Sequence, residues 1–169
     1  MRDLSQIEAI VPCGSSLGTI IRSDNATAYH DGDVMGNPTT SIITFSDVLL
    51  LKSASFKVEC IWILSKLNTS VPAGMEAYVL HLYNASPTNI ADGAVWALAA
   101  ADADKYLGSI TTGNVSDIGD AIYIQTSLTG FQRRLKTDSN TLYGFLVTTK
   151  AHTPVAKADF NVHLETKLV

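Results

Sequence analysis

Phe56-Lys57-Val58-Glu59-Cys60-Ile61-Trp62-Ile63-Leu64-Ser65-Lys66-Leu67 is the stretch whose reading decides the fold. Read with a period of two, Phe56, Val58, Cys60, Trp62 and Leu64 share one face. Lys57, Glu59 and Ser65 take the other, together with Ile61 and Ile63. The pattern predicts a strand over 56–67 with Cys60 and Trp62 packed in a core, Cys60 as a small apolar residue.

The same period extends in both directions along the chain. In 76–83, Tyr78, Leu80 and Leu82 oppose Val79, His81 and Tyr83, and the run closes in the loop 84–89. In 160–168, Phe160, Val162 and Leu164 alternate with Asn161, His163 and Glu165, which points His163 to solvent or to a partner. Further short strands are expected at 19–22, 42–51, 109–112, 121–127 and 142–150. Residues 23–25 read as a turn. Residues 94–100 fit strand or helix equally, because alanines dilute the signal. A helical turn or two is expected over 101–107, with Asp102 or Asp104 near its start and Gly108 as its stop. Many short strands with frequent turns and almost no helical period predict an all-β, antiparallel β-sandwich of the jelly-roll kind. No alternating strand–helix pattern supports a doubly wound sheet, and no repeat of 20–50 residues is visible.

Residues 1–18 lack a sustained period and end in Pro12-Cys13-Gly14-Ser15-Ser16-Leu17-Gly18, where proline and glycine punctuate the backbone. The expected division is an N-terminal arm over 1–18 and a β-sandwich domain over 19–169. The arm reads either as a frayed terminus or as a segment that pairs with a neighbouring subunit.

With 169 residues the chain can bury a real core without metal or disulfide help. Charged residues are only 17% and mean hydropathy is +0.17, which argues against disorder. So thin a charge complement also suggests surface covered by other subunits. The net charge is −4, and the densest basic cluster is Arg133-Arg134 with Lys136, so nucleic acid is not an expected partner. No run approaches the length needed to span a bilayer, and the start of the chain lacks the core of a secretion signal. Cys13 and Cys60 form no disulfide framework.

The motifs that could carry chemistry are weak. Gly14-Ser15-Ser16-Leu17-Gly18 matches a nucleophile elbow as a string, but strand-like Thr19-Ile20-Ile21 follows where a helix is required. Cys13 has no identifiable base. His30, His81, His152 and His163 show no metal-ligand spacing, and His81 reads as packed or hydrogen-bonded. His30-Asp31-Gly32-Asp33 brackets a glycine with carboxylates, yet the rest of a calcium loop is missing, so a turn or a strand entry is expected. Asp92, Asp102 and Asp104 could pair as carboxylates for glycoside hydrolysis only if the fold brought them together. Asn25, Asn68, Asn84 and Asn114 head acceptor-like triplets that read as polar turns. The expectation is therefore no enzyme, no catalytic, cofactor or metal residues, and no cofactor.

Several stretches together resemble tailed-bacteriophage capsid decoration, or cement, proteins. They are Tyr29-His30-Asp31-Gly32-Asp33-Val34-Met35-Gly36, Ile43-Thr44-Phe45, residues 77–87 with Leu80-His81-Leu82-Tyr83-Asn84, and Ala91-Asp92-Gly93-Ala94-Val95-Trp96 running on to 104–110. Leu142-Tyr143-Gly144-Phe145-Leu146-Val147-Thr148 and 160–164 complete the set, which spans roughly residues 27–166. Gly93 stands where such proteins often carry Asn, and 1–18 fall outside the resemblance. The resemblance implies a structural virion protein on the capsid exterior, assembled in the host cytoplasm. It implies a homotrimer bound to the major capsid protein, with no nucleic acid or membrane partner and no catalytic residues. The alternative is a carbohydrate- or receptor-binding β-sandwich module of a phage fibre, with Trp62 or Trp96 as an aromatic platform.

Overall fold

A computed structural model of the chain describes residues 13–22, 27–49, 51–67, 69–135 and 139–169. The strands are β1 Cys13–Ile21, β2 Val34–Met35, β3 Ile43–Phe45, β4 Ser55–Lys66, β5 Tyr78–Tyr83, β6 Tyr106–Thr111, β7 Ser116–Asp117, β8 Ala121–Ser127, β9 Gln132–Arg134, β10 Leu142–Thr148 and β11 Asp159–Leu168. They form two antiparallel sheets. One runs β1-β11-β4-β8-β7 with β9 beside β4; the other runs β2-β10-β5-β6 with β3 beside β10.

β2 and β3 both pair with β10 and act as one strand interrupted by residues 36–42. The main pairings are then nested: β1 with β11, β2/β3 with β10, β4 with β8, and β5 with β6. This is the order obtained by wrapping one long hairpin around a barrel axis, which is a jelly roll. The predicted fold class holds, and it rests on this chain's own pairing.

Inward side chains of both sheets meet in one core. Phe56, Val58, Ile61 and Ile63 of β4, Phe160, Val162 and Leu164 of β11, and Ile122 and Ile124 of β8 face Tyr78, Leu80 and Leu82 of β5. Each large apolar side chain fully buried there contributes about 1.5–3 kcal/mol. The faces predicted for 76–83 and 160–168 hold, because their period is unbroken.

In β4 the predicted faces fail after Val58. Thr166 pairs with Val58 and Glu165 with Cys60, so Glu59 is an extra residue in the ladder. This bulge exchanges the two faces. Ile61, Ile63 and Ser65 turn inward, and Trp62 and Leu64 turn out to partly exposed positions. Cys60, at the bulge, is buried as expected. Trp62 is not a core residue.

The boundary expected between residues 18 and 19 runs through β1. Residues 13–18 belong to the sandwich, and 1–12 lie outside the described residues. Gly14 and Gly18 look like turn punctuation but serve close packing. A Cβ on Gly14 would overlap the Val48 carbonyl, and one on Gly18 would overlap Ile43 Cγ2 and lie 2.9 Å from Phe45 Cε1. The strand expected over 42–51 is only Ile43–Phe45, since Asp47 adopts a positive φ of 53° and turns the chain. Val48 and Leu49 still enter the core, from a turn.

The helix expected over 101–107 is a single 3-10 turn, Ala100–Asp102. Gly108 does not stop a helix; it lies in β6 at φ +120°, beside the register shift at Leu82/Tyr83. The expected turn over 23–25 lies outside the described residues.

Candidate functional site

The two sheets differ in what covers their outer faces. On the outer face of β5 and β10, Tyr83, Phe145 and Val147 form a second buried cluster with Val34. The long β5–β6 connection, residues 84–105, closes it. Trp96 of this connection stacks on His81, with ring centroids 3.6 Å apart and planes 17° apart. Its indole N–H donates to the Tyr83 hydroxyl at 3.3 Å, and the Tyr106 hydroxyl lies 3.0 Å from His81 Nδ1. Burial lowers the His81 pKa to about 4.

Backbone bonds hold the connection to the sheet edge. Val34 N–H donates to the Ala94 carbonyl, Gly93 N–H to Val34 and Trp96 N–H to Gly32, each at 2.9 Å. Asp92 anchors it further. Its Oδ1 accepts from Arg22 Nη1 at 3.1 Å, from the Tyr29 hydroxyl at 2.6 Å and from Gly36 N–H at 2.9 Å.

Arg22 is buried and lies over the Tyr29 ring at 4.4 Å. Desolvation lowers its pKa, and Asp92 opposes that. Among the described residues Arg22 Nε and Nη2, the Tyr78 hydroxyl and His152 Nε2 have no protein partner. A small cavity of about 100 Å³ adjoins the pair, lined by Arg22, Tyr29, Asp92 and Gly93 with 27–28. Arg22 and Asp92 together are a structural clamp. Sequence reading missed Arg22, although its parity with buried Gly18 and Ile20 in the alternation of β1 was a usable signal.

Ser16 points inward and donates to the Ser46 carbonyl at 2.6 Å, inside a strand and not at an elbow. Residues 30–33 form the expected turn, with Gly32 at φ +84°. Asp33 is buried and accepts from His30 N–H at 2.6 Å. Asp102 accepts from Lys105 Nζ at 2.7 Å and Thr88 N–H at 2.8 Å, and Lys105 lowers its pKa. Asp92 and Asp102 are thus committed to separate structural tasks, and Asp104 is exposed. His152 Nδ1 sits 3.1 Å from the Lys150 carbonyl. Of Asn84 and Asn114, which are described, the first is half-buried and the second exposed. Among the described residues no cluster of three His, Cys, Asp or Glu could hold a metal, and no helix is long and apolar enough to cross a membrane.

The outer face of the β1-β11-β4-β8 sheet has no such cover among the described residues. One cross-strand row runs Leu17, His163, Trp62, Gln125, and the next Thr19, Asn161, Leu64, Tyr123. Leu17 is 50% exposed and Ile21 57%. Trp62 and His163 stack with centroids 3.3 Å apart and planes 9° apart. Burial in this stack lowers the His163 pKa, and Glu165 opposes that. His163 lies on the outer face, as its alternation predicted. This face, on which Leu17, Ile21, Trp62, Leu64 and Tyr123 stand among polar Thr19, Asn161, His163 and Gln125, is the candidate interaction surface.

No family profile and no protein of curated function matches the sequence. Among solved structures, the native virion of Kashmir bee virus at neutral pH aligns over 92% of this chain and 70% of its own, at 12% identity and a TM-score of 0.29. A likeness of that size carries no argument about this chain's role.

Proposed function

We propose that the chain is a structural virion protein that binds the outside of an assembled phage head and stabilises its lattice. The observation that carries this reading is the sheet face, uncovered among the described residues, that bears Leu17, Ile21, Trp62, Leu64 and Tyr123. A sandwich that needed only solvation would alternate to polar residues there, as Asn161, Glu165 and Lys167 of β11 do. The family resemblance supplies the partner, the major capsid protein. A rigid module that binds only the assembled lattice stabilises it by mass action, and bridging several subunits slows release.

The test is co-sedimentation of the purified protein with expanded heads that lack it. Saturable binding supports the reading. Failure to bind at micromolar concentration overturns it and favours the fibre-module alternative, which a glycan screen then tests. Trp62 lies outside the core, as a sugar platform requires. One face of its indole, however, is already taken by His163.

A further inference from the structure

We propose that the outer edge of β1, unpaired among the described residues, is a self-pairing surface, through which two copies of this chain join antiparallel about a two-fold axis at Leu17.

β1 pairs with β11 in unbroken register, from Cys13↔Lys167 to Ile21↔Asp159. One residue further on, Arg22 N–H donates to the Ala158 carbonyl at 3.1 Å, which continues that register and fixes its phase. Even-numbered residues therefore exchange bonds with β11. Cys13, Ser15, Leu17, Thr19 and Ile21 turn their N–H and C=O groups away from it. These outward groups have no backbone partner among the described residues. The side chains of Ser15, Leu17, Thr19 and Ile21 are exposed.

Such an edge is a template for another strand, and folded proteins normally defend it with charge, proline, bulges, shortness or a cover. The other edges here are shorter or defended, including β8, whose length beyond its pairing with β7 is only residues 124–127. β7 has two residues and carries Asp117. β9 carries Arg133 and Arg134. β2 is bonded to 93–96 of the β5–β6 connection. β3 has three residues, and β6 is broken by the register shift at Gly108. β1 has nine residues, Cys-Gly-Ser-Ser-Leu-Gly-Thr-Ile-Ile, with no charge, no proline and no bulge.

A second copy fits this edge by its own symmetry. With the axis at Leu17, Leu17 meets its own copy, Ser15 meets Thr19 and Cys13 meets Ile21. Every one of these is an outward-bonding residue, so the phase is right for a bonded ladder. No like charges oppose each other, and Ser–Thr and apolar pairs are favourable neighbours across strands. The contact is isologous and closed, which limits it to a pair. It is a different association from the threefold one that the family resemblance implies, and it does not depend on the virion reading.

The experiment joins native mass across the micromolar range with amide hydrogen exchange on the full chain. The expected result is a dimer in which the N–H groups of Ser15, Leu17, Thr19 and Ile21 exchange slowly. Leu17→Lys sets two lysines side by side at the axis and removes the apolar pair there, and is expected to weaken the dimer at least about tenfold. It should free those amides and leave the thermal midpoint of the monomer unchanged; Ser15→Lys, off the axis, serves as a second variant. A monomer throughout, a trimer, or a dimer whose β1 amides exchange freely overturns the proposal. A monomer with those amides protected also overturns it, because the chain then covers its own edge.

Discussion

Acid should loosen the fold at His81 by an amount that can be worked out. His81 is 7% exposed, stacked under Trp96, and burial holds its pKa at about 4 against an ordinary 6.5. A folded value below the unfolded one means that the unfolded chain binds the extra proton. The contribution is complete above pH 6.5 and lost as pH falls towards 4. With those two values, lowering the pH from 7 to 5 removes about 1.8 kcal/mol through His81 alone. His152 and His163 are shifted in the same direction and add to the total. His81→Phe isolates the His81 part, since it keeps a ring against Trp96 and cannot titrate. Urea unfolding of both proteins at pH 7 and pH 5 is the assay. The variant should lose about 1.8 kcal/mol less than the wild type between the two. Equal losses would refute the reasoning, and would mean that His81 takes its proton without leaving the stack.

Three further outcomes follow from the packing and the pairing. Gly18→Ala drives a methyl into Ile43 and Phe45 and should cost about 1–3 kcal/mol. Gly93→Ala meets nothing within 4 Å and should cost only the left-handed backbone penalty of about 1 kcal/mol; the reverse order in urea midpoints would sink the close-packing account. Asp92→Asn strands the buried Arg22 charge and should cost about 3 kcal/mol, with faster amide exchange at Ala94 and Trp96 as the connection lifts. Deletion through residue 18 removes six of the nine residues of β1 and should unfold the sandwich, read as loss of the cooperative melt.

Where alternation was unbroken, the chain could be read directly. β5, β8 and β11 have the faces and nearly the ends that a period of two assigns. β4 could not be read past Glu59, because a bulge is one unpaired residue and leaves no mark in composition. Its effect was to move Trp62 from the expected core to the surface. β1 was half missed for another reason. Glycine serves both turns and close approach, and only the overlying Ile43, Phe45 and Val48 show which applies. The clamp joins Arg22 to Asp92 across seventy residues, and Trp62 meets His163 across a strand pair. Neither juxtaposition has a local signature. The stack of His81 with Trp96 was likewise out of reach, though burial of His81 in its strand was not.

The outer face of the β1-β11-β4-β8 sheet can be separated from the fold by substitution. Trp62 and Leu64 face outward because of the bulge, so their loss leaves no cavity between the sheets. Trp62→Gln with Leu64→Thr should therefore cost little beyond the stack with His163, about 0.5–1.5 kcal/mol. Ile63→Ala, one residue away and fully buried, should cost about 2–5 kcal/mol. On binding to heads the order should reverse. The outer pair should abolish retention at concentrations where the wild type saturates, and Ile63→Ala should bind normally per folded molecule, assayed well below its melting temperature. Stability and binding would then be carried by opposite faces of one strand. If the outer double variant binds heads as the wild type does, this face is not the contact, and the proposed function loses the observation that carries it.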